Sequence, residues 1–161
     1  MPRARPHLRR AFTMIELIVV LVILGIAVGV TAPSLKGWGM GAKLRDATQQ
    51  FVSATRYARA EAAGQAATVR VSLDTAENAY TVLKQQEGEF AEVAGEFGRP
   101  TVLPPGFTLQ LVSGGSEKDA IDFFPNLRAT PAVVRITTPT GLSSEVACEY
   151  PAGSFRVVEA K

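Results

Sequence analysis

An uninterrupted apolar run near the N-terminus constrains this chain more than any other feature. Residues 17–30 read LIVVLVILGIAVGV, and the largely apolar stretch extends from Phe12 to Ala32, which is 21 residues. As a helix this stretch is about 31 Å long, which matches the hydrocarbon thickness of a bilayer. We therefore predict a membrane-embedded helix over residues 12–33.

The charges that flank this segment predict its orientation. Residues 1–11 form a basic leader without an acid, and no basic cluster follows the segment directly; its arginines are Arg3, Arg5, Arg9 and Arg10. By the positive-inside rule, the N-terminus lies in the cytoplasm and everything after about residue 33 lies across the membrane. Without these four arginines, 13 basic residues remain against 15 acidic ones. The positive net charge therefore belongs to the leader and gives no whole-chain argument for nucleic-acid binding.

One acidic residue, Glu16, interrupts the apolar segment. A charge at the centre of a membrane helix costs roughly 2.5–3.5 kcal/mol, so a carboxylate there needs a partner. Cleavage between Ala11 and Phe12 would create an ammonium group four residues before Glu16, on the same chain or on a neighbouring one. Between chains, this pair would set the axial register of an assembly. The alternative is a Glu16 side chain that extends to the cytoplasmic head groups.

The composition excludes most classes of enzyme. The single histidine, His7, lies in the leader, and the single cysteine is Cys148. The rest of the chain therefore has neither a Ser-His-Asp nor a Cys-His arrangement, and no zinc-ligand spacing or phosphate-binding loop is present. Acidic residues cluster in polar segments, where we expect solvated loops. We predict no catalytic residue, no metal and no cofactor.

Residue patterns after Pro33 predict an α+β fold. Apolar residues recur three or four positions apart from Leu44 to Ala62, which predicts a helix that ends at about Ala63, before Gly64. Residues 85–100 are rich in Glu and Gly and are predicted to form a loop. Alternating patterns predict strands at residues 67–73, 79–83, 107–112, 120–124, 132–138, 145–149 and 155–158.

These elements predict a ladle: a long N-terminal helix, half in the membrane and half soluble, packed on an antiparallel β-sheet or β-sandwich head. We divide the chain into the leader at 1–11, the transmembrane and assembly helix at 12–33, its soluble continuation at 34–63, and a β-rich periplasmic head at 64–161.

The N-terminal residues resemble a known export signal. Residues 9–17, RRAFTMIEL, with the apolar run and Pro33, resemble the class III signal of type IV pilins and type II secretion pseudopilins. In those proteins a prepilin peptidase cuts before a Phe, methylates its nitrogen, and leaves a Glu as the fifth residue. The resemblance implies cleavage between Ala11 and Phe12, N-methylation of Phe12, and an assembly role for Glu16. Ala11 stands where the family usually has Gly.

Two glycines of the apolar helix have the spacing of a helix-packing motif. Gly25 and Gly29 form a GxxxG, which lets a second backbone approach closely in a membrane. The helix is predicted to be weakest between Pro33 and Gly41, where three further glycines follow the proline. The resemblance implies partial melting of this region when the subunit packs into a filament.

The second half resembles the GspH/FimT group of minor pseudopilins and minor pilins. The resemblance rests on residues 54–62 (ATRYARAEA), residues 121–130 (IDFFPNLRAT) and residues 153–158 (GSFRVV). The family more often has Gly where Leu127 stands. The resemblance implies a minor pseudopilin: a structural subunit, not an enzyme, at or near the tip of the type II secretion pseudopilus.

The same resemblance implies a location and partners. The subunit would reside in the bacterial inner membrane with its head in the periplasm, and then enter the pseudopilus. Its implied partners are other major and minor pseudopilins, the prepilin peptidase, the inner-membrane assembly platform and a secreted substrate. Within the head, we predict a contact surface on residues 85–100, which carry Glu87, Glu89, Glu92 and Glu96.

Other functions remain open from the sequence. A minor pilin of a type IV or DNA-uptake pilus would contact DNA through basic side chains, for which the candidates are Arg128, Arg135 and Arg156. An ordinary secretory signal would be cut after Ala32 or Ala27. An exported enzyme on an uncleaved signal anchor is the third class.

Overall fold

Two helices open the chain in the computed structural model, which describes residues 13–31, 35–116 and 119–158. Helix α1 spans Met14–Thr31 and helix α2 spans Leu35–Gln65. The chain forms two compact units, and the boundary between them lies between residues 38 and 39. The predicted cleavage residues Ala11 and Phe12, and also Pro33, lie outside the described residues.

The predicted apolar face of α2 is buried in the head. The face alternates larger side chains with small ones, and all of its members are almost inaccessible to solvent: Leu44, Ala47, Phe51, Ala54, Ala58 and Ala62. Because alanine projects only a methyl group, the helix backbone lies close to the strands beneath it. The helix ends at Gln65, two residues later than predicted. Gly64 is tolerated in the last turn, and Ala66, at φ +49°, is the left-handed residue that closes the helix.

In the part of the chain that the structure describes, nine antiparallel strands form two sheets beside α2. The strands are β1 (Val69–Asp74), β2 (Ala79–Gln86), β3 (Glu89–Glu92), β4 (Thr101–Val102), β5 (Thr108–Gly114), β6 (Ala120–Phe123), β7 (Ala132–Thr137), β8 (Ser143–Cys148) and β9 (Arg156–Val158). The first sheet has the order β3-β2-β1-β6, with β4 paired to β2, and the second has the order β5-β7-β8-β9. The α+β fold with an antiparallel head is therefore confirmed.

Alternate residues of both sheets meet α2 in one core. Phe51 of α2 packs edge-to-face on Tyr80 of β2, with ring centroids 5.1 Å apart. On the other face of the first sheet, Arg70 of β1 pairs with Asp122 of β6 through two contacts, Nε to Oδ1 at 2.6 Å and Nη2 to Oδ2 at 2.9 Å. The same guanidinium lies 4.1 Å from the centroid of the Phe90 ring. The core and this ion pair together tie β1 to its neighbours.

The loop prediction for residues 85–100 is wrong over much of that range. Strand β2 continues to Gln86, a tight turn at Glu87 and Gly88 follows, and β3 returns along β2. Both turn residues have positive φ, +51° and +93°, as a two-residue hairpin turn requires. A short 3-10 helix, Glu96–Gly98, then leads to β4.

We predict that Ala58→Leu destabilises the head by about 1–3 kcal/mol, because three additional carbons have no space between α2 and the sheets. The matched control is Ala60→Leu, on an exposed position of the same helix, with an expected change within about 0.5 kcal/mol. Urea denaturation of both purified variants measures the difference. Equal midpoints would show that α2 does not pack closely on the sheets.

A second prediction concerns Leu127, which is 54% exposed at φ +63° in the turn after β6. Its amide donates to the Phe124 carbonyl at 3.0 Å. A left-handed conformation costs an L-residue about 1–2 kcal/mol, and glycine avoids this cost. Because glycine also loses more chain entropy on folding, we expect Leu127→Gly to be more stable than Leu127→Ala by about 1 kcal/mol. Identical melting temperatures for the two variants would disprove backbone strain at this turn.

Candidate assembly surfaces

Helix α1 exposes apolar side chains around its whole circumference. Every large apolar residue between Met14 and Ile26 is at least 45% exposed, and Met14 reaches 82%. A contiguous apolar surface of this size marks contact with a membrane or with another protein. Within the described residues, no helix has both the length and the apolar content needed to cross a membrane. The span predicted over residues 12–33 includes positions outside those residues and stays a prediction.

The predicted assembly residues Glu16 and Gly25 lie on this helix. Thr13 caps its first turn, because the Thr13 hydroxyl and carbonyl oxygens accept from the Glu16 amide at 3.4 and 3.1 Å. The Glu16 side chain is exposed in that turn. A methyl group added at Gly25 would meet no atom within 4 Å among the described residues beyond its own helical turn. The fold of this chain therefore does not itself require a glycine there. Gly29 lies in α1 as well.

A cavity of about 680 Å³ lies between α2 and residues 92–101. Of the four glutamates predicted as a contact surface, Glu92 and Glu96 line this cavity, whereas Glu87 and Glu89 lie on the exposed β2–β3 hairpin. The complete lining is Gln50, Glu92, Val93, Gly95, Glu96, Gly98, Arg99, Pro100 and Thr101. The structure thus joins two of the four carboxylates at one site.

Aromatic stacking and a close backbone approach hold the cavity wall in place. The Tyr57 ring of α2 stacks on Phe97 with centroids 5.0 Å apart, and the Tyr57 hydroxyl donates to the Ala94 carbonyl at 3.4 Å. Burial, and then the Glu61 carboxylate, raise the pKa of Tyr57. A Cβ at Gly98 would lie 1.8 Å from the Val93 carbonyl oxygen, so only glycine fits there. These contacts were not predicted from the sequence. The two aromatic residues and three glycines in the polar segment 85–100 were a signal for them.

Tyr80 is buried behind Thr101, one of the residues that line this cavity. Its side chain is 1% exposed, and the residue pairs with Thr101 across β2 and β4. Its hydroxyl is buried beside the Thr101 side chain. Burial raises the pKa of Tyr80 to about 12, the Glu96 carboxylate acts in the same direction, and the Thr101 side chain opposes them. The hydroxyl is thus close to two residues of the cavity wall.

The three arginines predicted as DNA contacts lie on separate elements. Arg135 of β7 binds Glu145, with Nη2 and Nε at 2.6 and 2.9 Å from Oε1. Arg156 of β9 lies 4.0 Å from the carboxylate of Glu149, and Arg128 is exposed in the turn after β6. Two of the three charges therefore have a carboxylate nearby, which does not favour a DNA-binding surface. Within the described ranges, no three potential metal ligands form a group that could hold an ion.

Comparison with known families decides the class of protein. A model of the prokaryotic N-terminal methylation motif matches residues 7–32, and a model of the type II transport protein GspH matches residues 47–149. The chain belongs to the GspH family. It is a minor pseudopilin of type II secretion, as the sequence resemblance predicted, and GspH-family pseudopilins are structural proteins that assemble with other pseudopilins.

Solved structures of known proteins share this fold. Two structures of the minor pseudopilin EpsH from the type 2 secretion system of Vibrio cholerae share 16% and 13% identity with this GspH-family chain, at TM-scores of 0.63 and 0.61. They cover 72% and 73% of this chain and 96% of their own chains. No curated protein matches the sequence.

We predict that Tyr80 makes the head less stable as the pH rises from 10 to 12. The unfolded chain loses the tyrosine proton near pH 10, while the folded chain keeps it until about pH 12. The unfolded state therefore binds fewer protons, and the free energy of unfolding falls by up to roughly 2–3 kcal/mol. Urea denaturation at pH 9 and pH 12 measures the loss. Tyr80→Phe is the control and should lack this component; equal losses in both proteins would contradict the prediction.

Proposed function

We propose that this GspH-family subunit is anchored in the bacterial inner membrane by residues 12–33. Its leader is then cytoplasmic and its head periplasmic. The basic leader, the apolar sequence of this segment and the exposed apolar side chains of α1 support the proposal. A bilayer first covers this surface, and neighbouring α1 helices cover it after assembly.

Assembly follows cleavage between Ala11 and Phe12 by a prepilin peptidase. The match to the methylation motif over residues 7–32 supports this step. The ammonium group of N-methylated Phe12 on one subunit then pairs with Glu16 of the next. Because an unpaired charge in an apolar surrounding is costly, the pair fixes the axial position of each subunit.

Close approach of neighbouring helices completes the contact. Among the described residues beyond its own helical turn, no atom lies within 4 Å of a methyl group placed at Gly25, so its small size serves a partner helix, and Gly29 one turn later has the same role. Pro33 marks the end of this packed segment. Retention of Glu16 argues against a place at the extreme tip of the filament, because the tip subunit of the family tends to lack this carboxylate, and a place at or near the tip remains. The subunit thus joins the tip to the major pseudopilin on the inner-membrane assembly platform.

The role proposed here is structural, and it depends on contacts rather than on a reaction. Residues 85–100 of the head, with Glu87, Glu89, Glu92 and Glu96, provide a surface for other pseudopilins or for the secreted substrate. The defined cavity beside α2 supports this assignment, because a fixed wall presents its side chains in one arrangement.

The test is the N-terminal residue and intact mass of the protein from its native membranes, together with its amount in sheared pseudopili. Wild type, Glu16→Gln and the exposed control Glu77→Gln should all begin at N-methylated Phe12. Wild type and the control should enter pseudopili equally, and Glu16→Gln at least about tenfold less, because an ion pair worth more than 1.4 kcal/mol is lost.

Two results would contradict the proposal. A chain that begins at Met1, or after Ala27 or Ala32, would refute prepilin processing. Normal incorporation of Glu16→Gln would refute the pairing of Glu16 with the neighbouring ammonium group.

A further inference from the structure

A groove with three arginines on its walls runs between α2 and strands β8 and β9. It consists of two cavities of about 400 Å³ each, and these adjoin because two residues line both of them. Among the residues that the structure describes, no carboxylate lines either cavity. We call this surface the basic groove and define it by six of its lining residues: Arg45, Gln49, Val52, Arg56, Arg156 and Val157.

The basic groove and the cavity beside residues 92–101 lie on different sides of α2. The four α2 residues that define the groove are spaced four, three and four positions apart, so they form one stripe along the helix. Gln50 and Tyr57, which belong to the other cavity and its wall, lie on the opposite flank of the buried face. The head therefore presents an acidic surface on one flank of α2 and a basic one on the other.

The three arginines of the groove are available to a partner. Arg45 and Arg56 are exposed, and neither forms an ion pair within the described part of the chain. Arg156 lies 4.0 Å from a carboxylate oxygen of Glu149, but the two side chains are 71% and 56% exposed. An ion pair so open to water is worth little and exchanges easily. By contrast, Arg135 of the same sheet binds its carboxylate at 2.6 Å.

The dimensions of the groove suit an extended segment. Arg45 and Arg56 are 11 positions apart on α2, which is about 16 Å along the helix axis. An extended chain covers that distance in about five residues. Val157 lines both cavities and is 51% exposed, so it offers an apolar contact midway. Because a guanidinium binds a carboxylate through two parallel hydrogen bonds, the groove fits a segment with a carboxylate near each end.

We propose that the basic groove binds an extended, acidic segment of a neighbouring pseudopilin. Arg45 binds one carboxylate, Arg56 and Arg156 bind a second from opposite walls, and Val157 contacts an apolar side chain between them. The inference rests on the proposed function, because only an assembled subunit has such a neighbour. It gives the head a second contact surface, opposite in charge to residues 85–100.

The choice of a pseudopilin as the partner follows from the position of the groove in the chain. The groove begins at Gly41, about ten residues after the end of α1 at Thr31. A neighbour that packs on α1 is therefore held close to the groove, and its acidic segment binds at a high effective concentration. Exposed ion pairs that are weak by themselves then suffice. A secreted substrate lacks this attachment.

Carbodiimide cross-linking of sheared pseudopili tests the proposal. The reagent joins an amine to a carboxylate that touches it, as an amide, and mass spectrometry identifies the two residues. Arg56→Lys keeps the positive charge and brings an amine into the groove. We expect a link from position 56 to an aspartate or glutamate of another pseudopilin. Arg156→Lys, on the opposite wall, should link to the same residue, and the exposed control Arg128→Lys should give at least fivefold less of such a product.

Two pairs of charge substitutions, each added to Arg56→Lys, measure what the groove contributes. Arg45→Gln with Arg156→Gln should lower the yield of the link at least threefold, because two of the three charges that hold the segment are lost. Lys43→Gln with Arg128→Gln removes two charges outside the groove and should leave the yield unchanged. All four side chains are exposed, so the melting temperature should shift by no more than about 2 °C in either case.

Four results would overturn the proposal. These are equal yields from Arg56→Lys and Arg128→Lys, links only within this chain or to a second copy of it, links only to the secreted substrate, or a yield that the loss of Arg45 and Arg156 leaves unchanged. An Arg56→Lys chain that is processed and present in pseudopili but gives no link refutes the groove contact alone. A wild-type chain that is absent from pseudopili refutes the proposed function, and this inference with it.

Discussion

The close packing of α2 on the two sheets is the contact on which the rest of the head depends. Ala54, Ala58 and Ala62 are wholly buried, and such small side chains bring a helix backbone near the strands. Phe51 is the large side chain among the wholly buried residues of this face, and it fixes Tyr80 of β2 by an edge-to-face contact. The same helix holds the 92–101 segment through Tyr57. One helical face therefore positions the core, the first sheet and the cavity wall.

The two units of the chain differ in where their apolar surface goes. In the head, the large apolar side chains of α2 and the strands are mostly buried within the unit. In α1 they are mostly exposed, and burial of this surface requires a membrane or other chains. Folding of the head and covering of α1 are thus separate events. This separation suits the proposed path of the subunit from the membrane into a filament.

Much of the fold was predictable from local sequence patterns. The 3–4 spacing identified the buried face of α2, and alternation identified seven of the nine strands in the described residues, because both patterns reflect burial on one side. Strand β3 was missed because three of its four residues are exposed and its sequence, EFAE, has no buried face to show. Strand β4 has only two residues. The end of α2 was predicted two residues too early. Gly64 only weakly favours helix termination, and Ala66 is an uncommon residue for the left-handed position that ends the helix.

The candidate sites also differ in how far they could be predicted from local sequence. The N-terminal motif is continuous in sequence, so its residues could be named without a structure. The cavity was only half predictable. Its glutamates were visible as an acidic segment, but Thr101 joins them through strand pairing with Tyr80, and Gly98 through a contact with Val93. The partners of the three candidate arginines could not be predicted, because ion pairs such as Arg135 with Glu145 depend on strand register.

The edge of the first sheet has a consequence for polymerisation itself. Strand β3 is an edge strand, it is only four residues long, and it begins and ends with glutamate. Short, charged edges resist pairing with the edge of another sheet. Heads that are packed at high concentration in a filament can pair through their sheet edges. The charged edge at β3 opposes this pairing, so the heads do not join into a continuous β-sheet. The proposed assembly through the α1 helices then proceeds without competition from pairing between sheet edges.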